Sequence, residues 1–303
     1  MTKVIFFGTP HFAAPILREI INSDLKVVTV FTQPPKKSNR GQKISKSEIH
    51  LLAEKYNLNI KTPDKLIDEE NYLKNLSFDL AVVVAYGQLI PSHFLNFCKH
   101  GFINIHASIL PKYRGAAPIQ RSIMNSEVLS GISIMKINDK LDSGPVGNIY
   151  ELKIKDNENS HSLSLRLSKL ASEKIVENLN LIKKNKLSFI DQDNLKATYA
   201  PKILKSENKI NWKNTSQEVL AQVNALYPKA WFEYKGERFN ILKCTLSDLT
   251  GDPGVVLDSY LTVACGKKSI TINTIQKQGK NPQPKKEFLI GNKIEKGSKF
   301  INV

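Results

Sequence analysis

KVIFFGTPHFAAPILREIINSDLKVVTVF, residues Lys3–Phe31, is the stretch that decides the fold. After Lys3 the run to Phe7 is wholly apolar, as a strand covered on both faces must be. Gly8-Thr9-Pro10 breaks it, and Phe12–Ile21 then carries apolar residues at helical spacing. Lys26–Phe31, KVVTVF, returns to strand chemistry. Strand, helix, strand in this order predicts a parallel sheet with helices on both faces. Gly8 stands alone where a dinucleotide-binding turn would need G-x-G-x-x-G, so a nicotinamide cofactor is not expected.

Working outward, Thr32–Ser47 (TQPPKKSNRGQKISKS) has no hydrophobic period and is expected to be an exposed loop. Helical patterns follow at Glu48–Tyr56 and Asp68–Leu76, with a short strand at Asn59–Lys61 between them. Asp79–Tyr86 (DLAVVVAY) is the strongest strand signal in the chain. Pro118–Ser126 and Ser162–Lys183 read as helices, and Ser130–Ile137 and Val146–Ile154 as strands. Beyond about Leu187 the texture changes. Asp191–Lys205 is an unpatterned connector, and Ser216–Ala225 is a helix with Thr215 or Ser216 as its N-cap. Short β-type runs then recur at Trp231–Tyr234, Asn240–Thr245, Gly254–Leu257, Leu261–Ala264 and Ile270–Ile275. Their even spacing between Gly and Pro breaks predicts a small barrel. The expected fold is therefore α/β: a Rossmann-like, mostly parallel sheet over 1–187, a linker over 188–206, and a smaller OB-like β-barrel over 207–303.

Composition narrows the function classes. With 41% hydrophobic and 24% charged residues the chain suits an ordinary folded protein. Its longest apolar run, Leu80–Tyr86, is far too short to cross a bilayer, so no membrane partner is expected. The three cysteines, Cys98, Cys244 and Cys265, lie far apart without a C-x-x-C pair. Neither a disulfide framework nor a metal site is expected, and a reducing cytoplasm is. The net charge of +16 is the outlier. It fits a polyanion partner such as nucleic acid, and equally a general drift toward lysine.

Gly101–Pro118, GFINIHASILPKYRGAAP, holds the chemistry. In a strand, Asn104 and His106 share one face. An amide that can donate to a developing oxyanion beside an imidazole that can carry a proton makes a minimal acyl-transfer pair. Asn is poorly suited to a strand, so structure alone accounts badly for Asn104. Asp142, in the turn Leu141-Asp142-Ser-Gly-Pro145, is by itself an ordinary turn residue.

Together, Asn104-Ile-His106, Ser108-Ile-Leu-Pro111-Lys-Tyr-Arg114-Gly-Ala-Ala-Pro-Ile-Gln120 and Leu141–Pro145 resemble the folate-dependent formyltransferases. The resemblance extends to Phe7–Pro10, Thr32-Gln-Pro34, Arg40-Gly-x-Lys43, Val84–Pro91 and Thr198–Lys202, essentially the whole chain. It implies transfer of a formyl group from 10-formyltetrahydrofolate to an amine, with Asn104, His106 and Asp142 catalytic. By the same resemblance Tyr86, Gly87, Leu89, Ile90, Ser108, Ile109, Leu110 and Pro111 hold the folate, with Leu89, Ile90 and Leu110 as an apolar wall. The Asn/His/Asp set alone also fits formylation of a glycinamide ribonucleotide or a sugar nucleotide. The run Arg114–Gln120 and the basic C-terminal region favour methionine on initiator tRNA as the acceptor. Lys36, Lys37, Arg40, Lys43, Arg114, Lys267 and Lys268 would then contact the tRNA. Trp231 and Phe232 are expected in the core, with stacking on nucleotides as the alternative. A monomer is the expected state.

Overall fold

The computed structural model describes residues 1–38 and 43–300. The chain divides into two compact units. The first comprises Met1–Gly115, Leu129–Leu152 and Ser164–Ala200; the second comprises Ala116–Val128, Lys153–Leu163 and Pro201 to the C-terminus. Residues 116–128 and 153–163, which the sequence pattern groups with the first domain, thus group with the C-terminal unit, and the connector divides at Ala200 and Pro201.

The first unit begins with β1 (Lys3–Gly8), α1 (Ala14–Ile21) and β2 (Lys26–Phe31). Val4 to Phe7 are fully buried, and α1 turns Ile16, Leu17 and Ile20 inward. Next come β3 (Lys36–Ser38), β4 (Lys43–Ser45), α2 (Glu48–Lys55), β5 (Ile60–Lys61), α3 (Glu70–Asn75), β6 (Leu80–Val84) and β7 (Phe102–His106). β3 and β4 pair antiparallel within the stretch expected to be a bare loop. Backbone pairing between polar strands leaves no hydrophobic period to read.

Further along lie α4 (Pro118–Met124), β8 (Leu129–Lys136), β9 (Val146–Lys153) and α5 (Ser160–Lys183). The main sheet is seven-stranded, in the order β5-β2-β1-β6-β7-β8-β9. β1 pairs parallel with β2 and β6, and β6 with β7, whereas β7 and β8 run antiparallel. From β1 the chain builds outward to β2 and β5, then returns to lay β6 on the other side of β1. That reversal leaves a crevice at the carboxyl ends of β1 and β6, where open α/β sheets take their ligands. Beneath it is an aromatic core: Phe7 stacks on Phe31 at 4.7 Å and lies 5.8 Å from Phe102 and 5.4 Å from Tyr86. The long α5 buries Leu167, Ala171, Ile175 and Leu179 at four-residue spacing.

In the second unit, α4 packs on α6 (Ser216–Ala225). Thr215 caps α6 as the sequence predicts: its hydroxyl accepts from the Glu218 N–H, and the Glu218 carboxylate accepts from the Thr215 N–H. The sheet here is antiparallel, built from β10 (Trp231–Tyr234), β11 (Glu237–Ser247), β12 (Thr262–Ala264), β13 (Ser269–Lys277) and β14 (Gln283–Pro284). The order is β10-β11-β13-β12, with β14 also on β13. Register shifts between Ile241 and Cys244 curl β11, giving half of a barrel. Gly254–Leu257, expected as a strand, pairs through the isolated bridges Val255–Lys299 and Val256–Val263 rather than along a continuous strand. The helix α7 (Lys285–Gly291) has no counterpart in the sequence reading. Trp212, Phe232, Phe239 and Phe300 form the core of this unit.

Candidate active site

β7 sets Asn104 opposite Met135 and His106 opposite Ser133 on β8. Directly opposed residues project to one side of a sheet, so all four belong to one surface. The loop from β8 to β9 brings Asp142 back to it. Asp142 adopts φ +46, an unusual backbone state for a residue with a side chain. Its Oδ1 lies 3.4 Å from Asn104 Nδ2 and its Oδ2 3.6 Å from His106 Nδ1. Oδ2 also accepts from the Gly115 N–H at 2.8 Å. The three groups picked from the sequence, spread over 38 residues, therefore meet at one point.

His106 is 6% exposed. Its Nε2 donates to the Tyr113 carbonyl at 2.8 Å, since a carbonyl can only accept. That bond assigns the ring proton to Nε2 and leaves Nδ1 as the nitrogen facing Asp142. Three backbone bonds tie the 111–114 segment to 198–200: Arg114 N–H to Thr198 O at 2.9 Å, Thr198 N–H to Pro111 O at 3.3 Å, and Ala200 N–H to Arg114 O at 2.7 Å. Gly115 is required there, because its φ is +123 and a Cβ would come within 2.7 Å of the Ala200 oxygen.

Beside Asn104 lies a small apolar bed of Leu110, Met135 and Val146. Ser133 holds its rim, donating to Ser108 O at 2.7 Å and accepting from the Leu110 N–H at 3.1 Å. Ser108 itself donates to Lys112 O at 2.6 Å. Ile109 is half-buried, and the Leu110–Pro111 peptide is cis. The apolar wall expected of Leu89, Ile90 and Leu110 is not one surface. Leu110 lines the bed, Ile90 belongs to the aromatic core with Tyr86, and Leu89 is 85% exposed. Tyr86 offers its carbonyl to Thr9 Oγ1 at 2.9 Å and Gln33 Nε2 at 3.2 Å. Its hydroxyl is buried, and burial pushes its pKa upward. Gly87 turns the chain at φ +84 close against Gln33.

The residues expected to meet nucleic acid divide. Lys36 is exposed and donates to Gln33 Oε1 at 2.7 Å. The backbones of Lys37 and Lys43 lie in the β3–β4 hairpin, and Arg40 falls outside the described residues. Lys267 is exposed, and Lys268 reaches Asp248 at 2.7 Å. Arg114 is only 3% exposed, with Nε donating to Gln192 Oε1 at 2.9 Å. It does not stand at the surface as its expected role requires. Its place beneath the 198–200 strip, whose pairing with 111–114 is invisible in sequence, is the reason.

The second unit carries a basic groove that the sequence did not single out. It encloses about 720 Å³ between Lys205, Ser206, Tyr227, Lys229, Trp231 and Arg238. Arg238 lies 4.4 Å over the Trp231 ring and Lys209 5.6 Å from it. Phe232, the next residue along, is fully buried, so alternation along β10 sends one aromatic to the core and the other to the groove. Among the described residues no group of three or more His, Cys, Asp or Glu could hold a metal ion, and no helix is long and apolar enough to cross a membrane.

Comparison with known proteins decides what this arrangement belongs to. The Formyl transferase family matches residues 2–179, and the Formyl transferase C-terminal domain matches 202–293. The methionyl-tRNA formyltransferase of Pelagibacter ubique is 54% identical over 99% of both chains. That of Brucella canis is 37% identical over 97% of this chain and 99% of its own. The chain belongs to the methionyl-tRNA formyltransferase family.

Solved structures share the fold. The N-formyltransferase of Helicobacter canadensis, in complex with folinic acid and dTDP-3-aminofucose, aligns with a TM-score of 0.70 at 21% identity, covering 91% of this chain and all of its own. HypX of Aquifex aeolicus, in complex with tetrahydrofolic acid, gives 0.63 at 16% identity over 94% of this chain and 46% of its own. This formyltransferase uses formyl-tetrahydrofolate. Its residues fit that group: the apolar bed of Leu110, Met135 and Val146 suits a flat ring, and Asn104 and Asp142 at its edge suit a polar carbonyl and amine.

Proposed function

We propose that Asn104, His106 and Asp142 carry out formyl transfer from 10-formyltetrahydrofolate to the α-amino group of methionine on initiator methionyl-tRNA. The observation that supports this most is the Asp142 carboxylate lying 3.4 and 3.6 Å from the Asn104 amide and the His106 ring. The folate, when bound, supplies the formyl carbon that the amine attacks. Asn104 turns its N–H toward the formyl oxygen and stabilises the charge growing there; one such donor is worth about 3–4 kcal/mol of barrier. Asp142 and His106 Nδ1 take the proton that the amine must lose and hand it to the departing folate nitrogen as its bond to the formyl carbon breaks. The Tyr113 carbonyl and the Gly115 N–H keep ring and carboxylate aligned from behind. No covalent bond to the enzyme is needed.

Ser108 to Pro111, with Leu110 as an apolar contact, and the 86–90 turn hold the folate. Lys36, Lys37, Arg40, Lys43, Lys267 and Lys268 meet tRNA phosphates, joined by Lys205, Lys229 and Arg238 of the groove. These are scattered cations that attract a phosphate backbone without reading sequence. The enzyme works as a cytoplasmic monomer. The decisive test offers it charged initiator and elongator methionyl-tRNAs with 10-formyltetrahydrofolate. Formyl-methionine is expected on the initiator; transfer only to a sugar nucleotide or glycinamide ribonucleotide would overturn the reading.

A further inference from the structure

Gln192 lies in the stretch between α5 and Pro201, where the sequence shows no period. An antiparallel bridge joins Val146 and Ile190 through two backbone bonds of 2.8 and 2.9 Å. Two residues further along the same pairing, Gln192 faces Gly144. Its Nε2 donates to Asp142 O at 2.9 Å and Gly144 O at 2.7 Å, so both amide hydrogens are used. Its Oε1 accepts from Arg114 Nε at 2.9 Å. Arg114 is buried, and its Nη2 has no hydrogen-bond partner among the described residues. One side chain thus links the turn that carries Asp142 to the buried cation Arg114.

From this geometry we infer that Gln192 is a positioning residue for formyl transfer, acting through Asp142; the inference rests on the reading of Asp142 given above. A left-handed residue with a side chain holds its backbone only where neighbours over-determine it. At Asp142 (φ +46) the determinants are the Gly115 N–H on the carboxylate and the Gln192 amide on the carbonyl. Gly144 brings the turn so close to β8 that a Cβ there would fall 1.9 Å from Lys136 O. Without the two donors of Gln192, two carbonyls lose their partners and the turn relaxes. The carboxylate then swings relative to His106 Nδ1 and Asn104. A misplacement of about 1 Å is enough to slow a reaction about 100-fold.

The amide is needed as an amide, and this separates the two halves of its role. Gln192→Glu keeps an acceptor for Arg114 but has no hydrogen for either carbonyl, and Gln192→Met removes both. Each variant is expected to lower kcat about 10- to 100-fold while KM for folate and for tRNA stays within about twofold. Gln192→Glu keeps its contact to Arg114 and is expected to lose less melting temperature than Gln192→Met, so it decides the matter if Gln192→Met does not fold. A kcat within about twofold of wild type in Gln192→Glu overturns the inference, as does a rise in both KM values with kcat held. Asp142→Asn is measured alongside. If it is inactive while the Gln192 variants turn over normally, only the role of Gln192 is lost. If Asp142→Asn is itself active, the reading of the site falls too.

Discussion

The two polar regions of this enzyme are built on opposite plans. Around Asp142 short directed bonds hold the groups: the Gly115 N–H on the carboxylate, the Tyr113 carbonyl on the ring, and the Gln192 amide on the turn at 142–144. Around Trp231 the groove is framed by long cationic side chains on exposed or half-exposed positions, with Arg238 and Lys209 over the Trp231 ring. The contrast follows from the roles proposed above for each. Proton transfer and oxyanion stabilisation fall off within fractions of an ångström, so their groups must be set before the substrate arrives. Attraction of a phosphate backbone is long-ranged and tolerant of position, so flexible lysines suffice.

The largest effect that should separate the two regions is on turnover. Asn104→Ala and Asp142→Asn are each expected to cut kcat by about 100- to 1000-fold, with melting temperature and tRNA affinity unchanged. Steady-state kinetics beside thermal unfolding would check this; near-normal kcat in both would break the contrast.

Next in size is a stability effect in the second unit. Arg121 grips Glu207 through two bonds of 2.6 and 3.0 Å. The Arg121 hydrogen bond holds the Glu207 carboxyl below its usual range against the opposing pull of burial. A depressed folded pKa means that the pair stabilises the fold above the unfolded value of about 4.3 and stops doing so as pH falls through the lower folded value. Glu207→Gln should therefore cost about 1–3 kcal/mol at neutral pH. Urea-unfolding curves of the two proteins should converge in acid; a constant gap down to the lowest pH would contradict the assignment.

Smaller still is the expected result of Arg238→Ala: weaker tRNA binding, a salt slope reduced by about 1, and unchanged folate affinity. Binding titrations at several salt concentrations test it, and an equal loss for both ligands would remove the groove from the tRNA path. The least effect is expected from thiol reagents. Burial pushes Cys98, Cys244 and Cys265 up to about 12, so native protein should react slowly at pH 8 and lose no activity meanwhile.

How far the sequence discloses each region follows the same division. β1, β2 and β6 are legible because buried parallel strands must be apolar throughout, and Asn104 and His106 because a period of two places them together. Nothing in the order of residues reveals that Gln192 will face Gly144, since that pairing is set by the register of Ile190 with Val146. The β3–β4 hairpin is hidden for a related reason: its backbone pairing leaves no hydrophobic period to read. Helix α4 reads correctly as a helix yet groups with the C-terminal unit, because its partners, α6 and Glu207, lie some 90 residues away in the chain. Arg114 misleads because a cation in a basic turn suggests solvent, whereas the strip at 198–200 covers the turn it belongs to.

That strip carries a genetic consequence. Thr198 receives the Tyr113 N–H on its hydroxyl at 2.9 Å and the Arg114 N–H on its carbonyl, and Tyr113 in turn steers the imidazole. A screen for alleles that abolish formylation while leaving abundant protein should return lesions at Thr198 and Gly115 beside those at the reacting groups. Their phenotype would mimic a chemical defect although neither residue is one of the proposed reacting groups.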